Sequence, residues 1–234
     1  LLHATLVTST VALGSVRRID TSAARQHPGV VGVITDFSGV VLAHTPEQFA
    51  YFGQPVAVVA ALDTEAAVHG AALVEVEYAE ERTPVTRIDA DPAVGVPGAT
   101  VGDYSRGDAD AVLASAPVVS DLEYRITRHQ HNPMELAATV AQWDGDRLTV
   151  WDKVQGIGAA VESYAAAFGL SPDHVRVIAP YVGGGFGQGG LVWPHQLLTA
   201  LAARHFRRPV KMVLNRRQMS EQLGYRPVSR QRLA

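Results

Sequence analysis

Short apolar runs alternate with polar, helix-compatible segments along the first part of the chain. Runs rich in Val, Ile and Ala predict strands when turn-forming residues bound them. The predicted strands occupy residues 2–9, 30–35, 54–62 and 75–81. Asp20-Thr21-Ser22 and Asp63-Thr64 are typical helix N-caps, so we expect a short helix up to His27 and another over 65–74. This alternation predicts a compact α/β domain over residues 1–82.

A segment rich in proline and glycine follows. Residues 83–107 have the composition of a linker or a long surface crossing, and 108–116 predict a short helix. We therefore expect 83–117 to be a linker that ends in a short helix.

The rest of the chain predicts a second, incomplete domain over residues 118–234. Its clearest local signal is a β-hairpin, in which Asp144-Gly145-Asp146 joins two strands at 138–143 and 147–153. Beyond the hairpin, the pattern predicts a helix at 159–168, a strand at 175–182, a glycine cluster at 183–190, a helix from about 191 to 206 and a strand at 210–214.

Composition excludes several classes of protein. Hydrophobic residues make up 47% of the chain and charged residues 18%, which is typical of a folded domain. No run approaches the roughly 18 apolar residues that a membrane span needs. The absence of cysteine excludes a disulfide framework, a thiolate zinc site, a cysteine nucleophile and an iron–sulfur cluster bound by this chain.

Charge is unevenly distributed along the chain. Residues 204–234 contain 9 of the 20 basic residues and one acid, Glu221. Apolar residues are interleaved with these charges, so we expect folded structure there and no nucleic-acid-binding tail. The chain begins inside a strand-like run at Leu1 and ends at Ala234 without a cap, so we expect both ends to lie inside a longer polypeptide.

The glycine cluster is the strongest candidate for a binding site. Glycines in series let backbone N–H groups approach an anion, and a following helix N-terminus would add positive charge. Tight packing between strand and helix is an alternative explanation. A dinucleotide site is another, because Gly185, Gly187 and Gly190 satisfy G-x-G-x-x-G. Asn215-Arg216-Arg217 stands where that fold needs an acid, so only a 2′-phosphate, as in NADP, would suit it.

Several motifs together resemble one enzyme family. Val182–Gly187, VGGGFG, is similar to the glycine–phenylalanine loop of the molybdenum hydroxylases, the xanthine dehydrogenase and aldehyde oxidase family. Further segments follow in that family's order, and together they most resemble the molybdenum subunits of bacterial aldehyde oxidoreductases. These segments are 52–59 (FGQPVAVV), 75–78 (EVEY), 106–108 (RGD), 131–135 (HNPME), 155–156 (QG), 193–195 (WPH) and 208–211 (RPVK).

The resemblance implies an α+β fold, an α/β-hammerhead domain followed by part of a mixed α/β molybdenum-cofactor-binding domain. It implies an oxidoreductase that hydroxylates aldehydes or N-heterocycles, with molybdenum on molybdopterin, which we expect in a dinucleotide form. The implied partners are the remaining molybdenum-binding polypeptide, an iron–sulfur subunit and an FAD subunit, besides a small-molecule substrate. We expect a cytoplasmic location, or a periplasmic one through a partner's export signal.

The resemblance also assigns residues. By position, Gln155 would hydrogen-bond the apical molybdenum ligand, and the cofactor-binding loop would comprise Gly184, Gly185, Phe186, Gly187 and Gln188. No metal ligand is expected in this chain. The catalytic glutamate base of the family lies near the far C-terminus of the subunit, so we expect no catalytic residue here. Glu162 is expected to face solvent, and Glu135 to be structural.

Departures from the family pattern support a rival hypothesis. Family loops often continue with Gly-[Gly/Ser]-Lys, whereas Gln188-Gly189-Gly190 follows here and removes the cation. Leu136-Ala137 replaces the usual Pro-His. With the base also missing, the chain could be a non-catalytic split or degenerate relative that acts as a scaffold or binding module. His129 and His131 form a close pair without a third metal ligand nearby.

Overall fold

The structure is a computed structural model, and it describes residues 1–45, 47–81 and 105–234. The chain divides into two compact units. The larger unit comprises Leu1–Thr83 and Gln130–Tyr225, and the smaller comprises Pro84–His129 and Arg226–Ala234. Most of the predicted linker lies outside the described residues. Fold class is α+β, as expected.

The described residues form twelve strands and six α-helices. The strands are β1 (Leu2–Thr8), β2 (Gly14–Asp20), β3 (Val30–Ile34), β4 (Gln48–Phe49), β5 (Pro55–Ala61), β6 (Glu75–Glu80), β7 (Leu122–Ile126), β8 (Ala138–Asp144), β9 (Arg147–Asp152), β10 (Val175–Ile178), β11 (Val210–Val213) and β12 (Ser229–Leu233). The helices are α1 (Ser22–Gln26), α2 (Thr64–Ala72), α3 (Ala109–Ser115), α4 (Ile157–Phe168), α5 (Pro194–Phe206) and α6 (Arg216–Gln222).

A seven-stranded mixed sheet organises the larger unit. Its strand order is β10-β9-β8-β11-β1-β5-β3. β5 is buried along its whole length, because its apolar run is covered on both faces. β1 pairs antiparallel with β5 and parallel with β11, so that Leu2 lies opposite Val210. The sheet therefore combines strands from both predicted segments, 1–82 and 118–234. A separate three-stranded sheet has the order β4-β2-β6.

Helices cover the seven-stranded sheet. α5 buries nine of its residues, and its many small side chains let the backbone lie close to the strands. The indole Nε1 of Trp143, on β8, donates to the Ala200 carbonyl at 2.8 Å. From α4, Tyr164 is fully buried in the same core. This core fixes the end of β9, from which the candidate site is built.

Several local predictions are confirmed. Asp63 accepts a hydrogen bond from the Ala66 amide at 2.8 Å and caps α2. The hairpin turn between β8 and β9 places Gly145 at φ 58°, a left-handed conformation that favours glycine. Gly169 ends α4 at φ 66°.

The smaller unit contains α3 and an antiparallel pair of strands, β7 and β12. Asp108 caps α3 by accepting from the Ala111 amide at 2.9 Å. Arg230, on β12, pairs with Glu123, on β7, at 2.7 Å. The basic end of the chain is thus folded.

The structure differs from the sequence prediction at several places. The strand predicted at 175–182 ends at Ile178, since the glycines beyond it leave the sheet. The helix predicted from about 191 begins at Pro194. Strands β2, β4 and β7 and helix α6 were not predicted. In β2 and α6, charged residues mask the apolar pattern. Among the described residues, no helix is long and apolar enough to cross a membrane.

Candidate functional site

The glycine loop, residues 183–187, follows β10 and runs into a single 3₁₀ turn at Gln188–Gly190. Three residues separate this turn from α5, whose N-terminal Trp193 amide is already bonded to Gln196 Oε1 at 2.6 Å. The expectation that the loop opens directly into a helix is therefore wrong. A dinucleotide fingerprint needs that continuity, so the NADP interpretation loses its structural basis.

At three of the loop glycines, an added Cβ would meet a neighbouring side chain. A Cβ on Gly183 would lie 2.5 Å from the Glu135 carboxyl carbon, and one on Gly185 would lie 2.5 Å from the Gln155 carboxamide. A Cβ on Gly184 would meet the Phe186 ring at 2.7 Å. These contacts are with the side chains of Glu135, Gln155 and Phe186, not between a strand and a helix, and they bring Gln155 against the loop.

Phe186 has an unusual backbone conformation for a bulky residue. Its φ is 51°, in the left-handed region, and its side chain is 57% exposed. Such strain costs about 1 kcal/mol or more and is commonly found at binding sites. An exposed aromatic ring held in a strained backbone is what a ligand-contacting residue shows, whereas a core phenylalanine would be buried.

The amides at the tip of the loop are available for a ligand. Among the described residues, the N–H groups of Gly185, Phe186 and Gly187 have no hydrogen-bond partner. The next amide, of Gln188, donates to the Gly185 carbonyl at 2.9 Å and closes the turn. Three consecutive donors on partly or fully exposed residues are suited to anionic or strongly polar atoms.

Gln155, just beyond the end of β9, is joined to the loop by two reciprocal hydrogen bonds. Its backbone N–H donates to the Gly189 carbonyl at 2.7 Å, and its Oε1 accepts from the Gly189 amide at 3.0 Å. Its Nε2 group has no partner within the described part of the chain, and the side chain is exposed. The free carboxamide N–H₂ lies beside Gly185, the first loop residue with a free amide, because a Cβ there would lie 2.5 Å from Nε2.

Gln188 lies differently from the other predicted loop residues. It is 3% exposed, its carbonyl accepts from Trp193 Nε1 at 2.6 Å, and its Oε1 accepts from Lys153 Nζ at 3.2 Å. Gln188 thus fixes the turn that follows the loop and lies away from solvent.

A cation is present at the loop although the sequence after Phe186 lacks one. Lys153 Nζ donates to the Gly184 carbonyl at 3.1 Å and forms an ion pair with Glu135. Lys153 first, and then the backbone N–H groups of Glu135 and Gly184, hold the pKa of the Glu135 carboxyl below its usual value. The continuation after Phe186 lacks a cation, as noted from the sequence, and Lys153 brings one to the loop from another segment. The sequence contained one signal for this contact. Lys153 is one of the chain's two lysines and lies two residues before Gln155, a spacing that puts both side chains on the same face of an extended segment.

Asp152 fixes the end of β9 through hydrogen bonds in the buried core. Its buried carboxyl accepts from Thr139 Oγ1 at 2.9 Å, Tyr164 OH at 2.7 Å and Gln196 Nε2 at 2.6 Å, and also from the Lys153 amide at 2.9 Å. Burial raises the pKa of Asp152, against the effect of these donors. Sequence patterns gave no signal for this network, because its members come from four elements.

A shallow pocket adjoins Gln188. Residues 130–133 and Arg216 contribute to its lining. Arg216 donates to the Pro133 and Met134 carbonyls at 2.6 and 2.7 Å, which fixes the segment carrying Glu135.

Of the remaining candidates, His131 lines this pocket, and its Nε2 would lie 4.0 Å from a Cβ on Gly187. Glu162 is exposed on α4, as predicted. No group of three or more His, Cys, Asp or Glu side chains positioned for a metal ion occurs in the described ranges, which include His129 and His131.

Comparison with known proteins identifies the family. The profile of the molybdopterin cofactor-binding domain matches residues 93–232. The profile of the aldehyde oxidase and xanthine dehydrogenase a/b hammerhead domain matches residues 1–82. The chain belongs to the molybdenum hydroxylase family. The predicted family membership is confirmed.

Molybdenum hydroxylases of known sequence and structure cover nearly all of this chain. It is 34% identical to the aldehyde oxidoreductase molybdenum-binding subunit PaoC of Escherichia coli, over 97% of this chain and 32% of PaoC. It is 31% identical to the nicotine 6-hydroxylase large subunit of Paenarthrobacter nicotinovorans, over 93% of this chain and 30% of that subunit. The aldehyde oxidoreductase structure from Desulfovibrio gigas superposes with a TM-score of 0.76 at 25% identity, over 96% of this chain and 28% of that one.

The chain spans about a third of the length of these relatives. The structural match confirms the expected fold, a hammerhead domain with part of a molybdenum-cofactor-binding domain.

Proposed function

We propose that this chain forms one wall of the molybdenum-cofactor site of an oxidoreductase that hydroxylates aldehydes or N-heterocycles. The supporting observation is the set of three unpartnered amides at Gly185–Gly187 beside the free carboxamide of Gln155. A molybdenum cofactor presents oxo, sulfur and phosphate acceptors, so these donors fit it. The names of the relatives, which act on aldehydes and on nicotine, support the two substrate classes.

Each residue then has a distinct role. Gln155 Nε2 would donate to an oxygen ligand of the metal, and the loop amides would hold further acceptor atoms of cofactor or substrate. The exposed Phe186 ring would exclude water from that side of the site. When bound, the molybdenum cofactor supplies the two-electron oxidation by which a carbon gains oxygen from water.

This wall requires other components. Glu135 is the carboxylate that contacts the loop, and its ion pair with Lys153 makes it a poor proton acceptor. We therefore propose that the general base is a glutamate on the remaining molybdenum-binding polypeptide. We further propose a dinucleotide form of the cofactor, electron transfer to iron–sulfur and FAD subunits, and a cytoplasmic location.

Metal analysis of the complex purified through this chain tests the proposal. We expect molybdenum at about one atom per complex and a co-purifying polypeptide that supplies the base. The isolated 234-residue chain should show no hydroxylase turnover with any aldehyde or N-heterocycle.

A matched pair of variants makes the test specific to the site. Gln155→Ala removes the free carboxamide and should lower molybdenum content, whereas Gln142→Ala, at an exposed position of β8, should leave it unchanged. A complex without molybdenum would instead support the non-catalytic scaffold.

A further inference from the structure

We infer that Lys153 is the positioning residue that aims the first free amide of the glycine loop toward the ligand side. This inference rests on the proposed function for the identity of the ligand, but the contacts that carry it lie within this chain.

The ammonium group of Lys153 is fully used by the loop and its support. Its side chain is 9% exposed, and an ammonium has three donors. Lys153 Nζ donates to the Gly184 carbonyl at 3.1 Å and to Gln188 Oε1 at 3.2 Å, and it pairs with the Glu135 carboxylate. One cation therefore joins the start of the loop, the turn that follows it and the segment beside it.

The geometry of the peptide between Gly184 and Gly185 sets the direction of the Gly185 N–H. The Gly184 carbonyl and the Gly185 N–H belong to the same peptide unit, and the described chain contains no cis peptide bond. In a trans peptide, the C=O and N–H vectors point in opposite directions. Because Lys153 holds the carbonyl, the Gly185 N–H must point away from Lys153. That amide is the first of the three without a partner.

A glycine at position 184 would otherwise leave this peptide free to flip. Glycine has no Cβ to restrict its ψ, and the carbonyl has no other partner among the described residues. A flipped peptide would place the carbonyl where the donor should be, turning an attractive surface into a repulsive one. Lys153 prevents this through contacts with protein groups alone.

Lys153 is itself placed by a closed ring of hydrogen bonds. Its backbone N–H donates to Asp152, which accepts from Gln196, whose Oε1 accepts from the Trp193 amide. The Trp193 indole donates to the Gln188 carbonyl, and Gln188 Oε1 accepts from Lys153 Nζ, which closes the ring. The ring links the buried core to the loop, so Lys153 has little freedom to choose other partners.

Hydrogen exchange of the purified complex, prepared without molybdenum, tests the inference. The reporters are the amides of Gln188, Gly189 and Gly190, which bond to Gly185, Gln155 and Gly187. Loss of one charge-assisted hydrogen bond should raise their exchange about tenfold in Lys153→Met. Lys153→Arg should restore most of the protection, because a guanidinium can also donate to a carbonyl. Lys211→Met, the same change at the other lysine, should have no effect.

Wild-type exchange in Lys153→Met would overturn the inference. Exchange that rises equally in the core of α5 would also overturn it, since that indicates general destabilisation. A Glu135→Gln, Lys153→Met double variant separates positioning from charge neutralisation. If Lys153 serves only to neutralise Glu135, the double variant regains protection and the inference fails; continued fast exchange supports it.

The two proposals fail separately. In complexes prepared with molybdate, Lys153→Met should lose molybdenum relative to Lys153→Arg and wild type. If even the wild-type complex lacks molybdenum, the proposed function fails, while the exchange result still decides the role of Lys153.

Discussion

Gly185→Ala probes the contact between the loop and Gln155. The added Cβ would lie 2.5 Å from both Cδ and Nε2 of Gln155, whereas carbon atoms pack at about 3.5–4.0 Å. The carboxamide must therefore withdraw by about 1 Å, which breaks its hydrogen bond from the Gly189 amide. Gly185 does not have a positive φ, so alanine adds no backbone strain.

The expected effects on stability and on binding differ. A lost hydrogen bond costs about 1 kcal/mol, and the reduced entropy of the unfolded chain returns about 0.4–1 kcal/mol. The melting temperature should then fall by no more than about 4 °C. The displaced Gln155 no longer presents its Nε2 beside the loop, so we expect molybdenum content to fall about tenfold, as for one lost hydrogen bond to a charged or strongly polar ligand.

Gly190→Ala is the matched control. A Cβ there meets nothing within 4 Å and φ is not positive, so stability and molybdenum content should both be unchanged. In the Gln155→Ala background, Gly185→Ala should cost nothing further, because the clashing group is gone. The reasoning is refuted if Gly185→Ala retains full molybdenum, or if its cost persists without Gln155.

Three further predictions concern stability. Burial lowers the pKa of His195 from 6.5 to about 3. As pH falls, the unfolded state therefore takes up a proton before the folded state does. The free energy of unfolding should drop by up to about 1.4 kcal/mol per pH unit between those two pKa values. In denaturant titrations at a series of pH values, the free energy of unfolding of His195→Leu should fall less steeply toward acid pH. The control His205→Leu, at an exposed position, should keep the wild-type pH dependence. Equal pH dependence in both variants would contradict a role of buried His195. Asp152→Ala leaves buried donors unpaired and should cost about 3 kcal/mol or more, with Asp152→Asn costing less; a loss under about 1 kcal/mol for alanine would show that the network matters little. Asp63→Ala removes the α2 cap and should cost about 1 kcal/mol in thermal melts, against a smaller loss for Glu65→Ala, and the opposite order would exclude the cap.

Local sequence signals predicted most elements of the larger unit. The β8–β9 hairpin and the Asp63 cap depend on residues a few positions apart, which is the range over which turn and capping chemistry acts. The pairing of β1 with β11 could not be predicted, because it joins residues at opposite ends of the chain. Helix α6 was missed since its charged surface hides the buried Gln218 and Met219.

The candidate site was predicted in part. Its glycine loop was found because glycine and phenylalanine motifs are visible in sequence, and Gln155 was found by resemblance. Lys153 and Asp152 were missed as parts of the site, because their partners lie on other elements and only the folded chain brings them together. The helix start at Pro194 was misplaced because the glycines carry no capping signal.

A map of the assembled complex, recorded with anomalous scattering at the molybdenum edge, tests the central claim most directly. The account predicts an anomalous peak beside Gln155 Nε2, with ligand atoms within hydrogen-bond distance of the Gly185–Gly187 amides. Protein groups bonded to those amides, with no metal peak next to the loop, would contradict it.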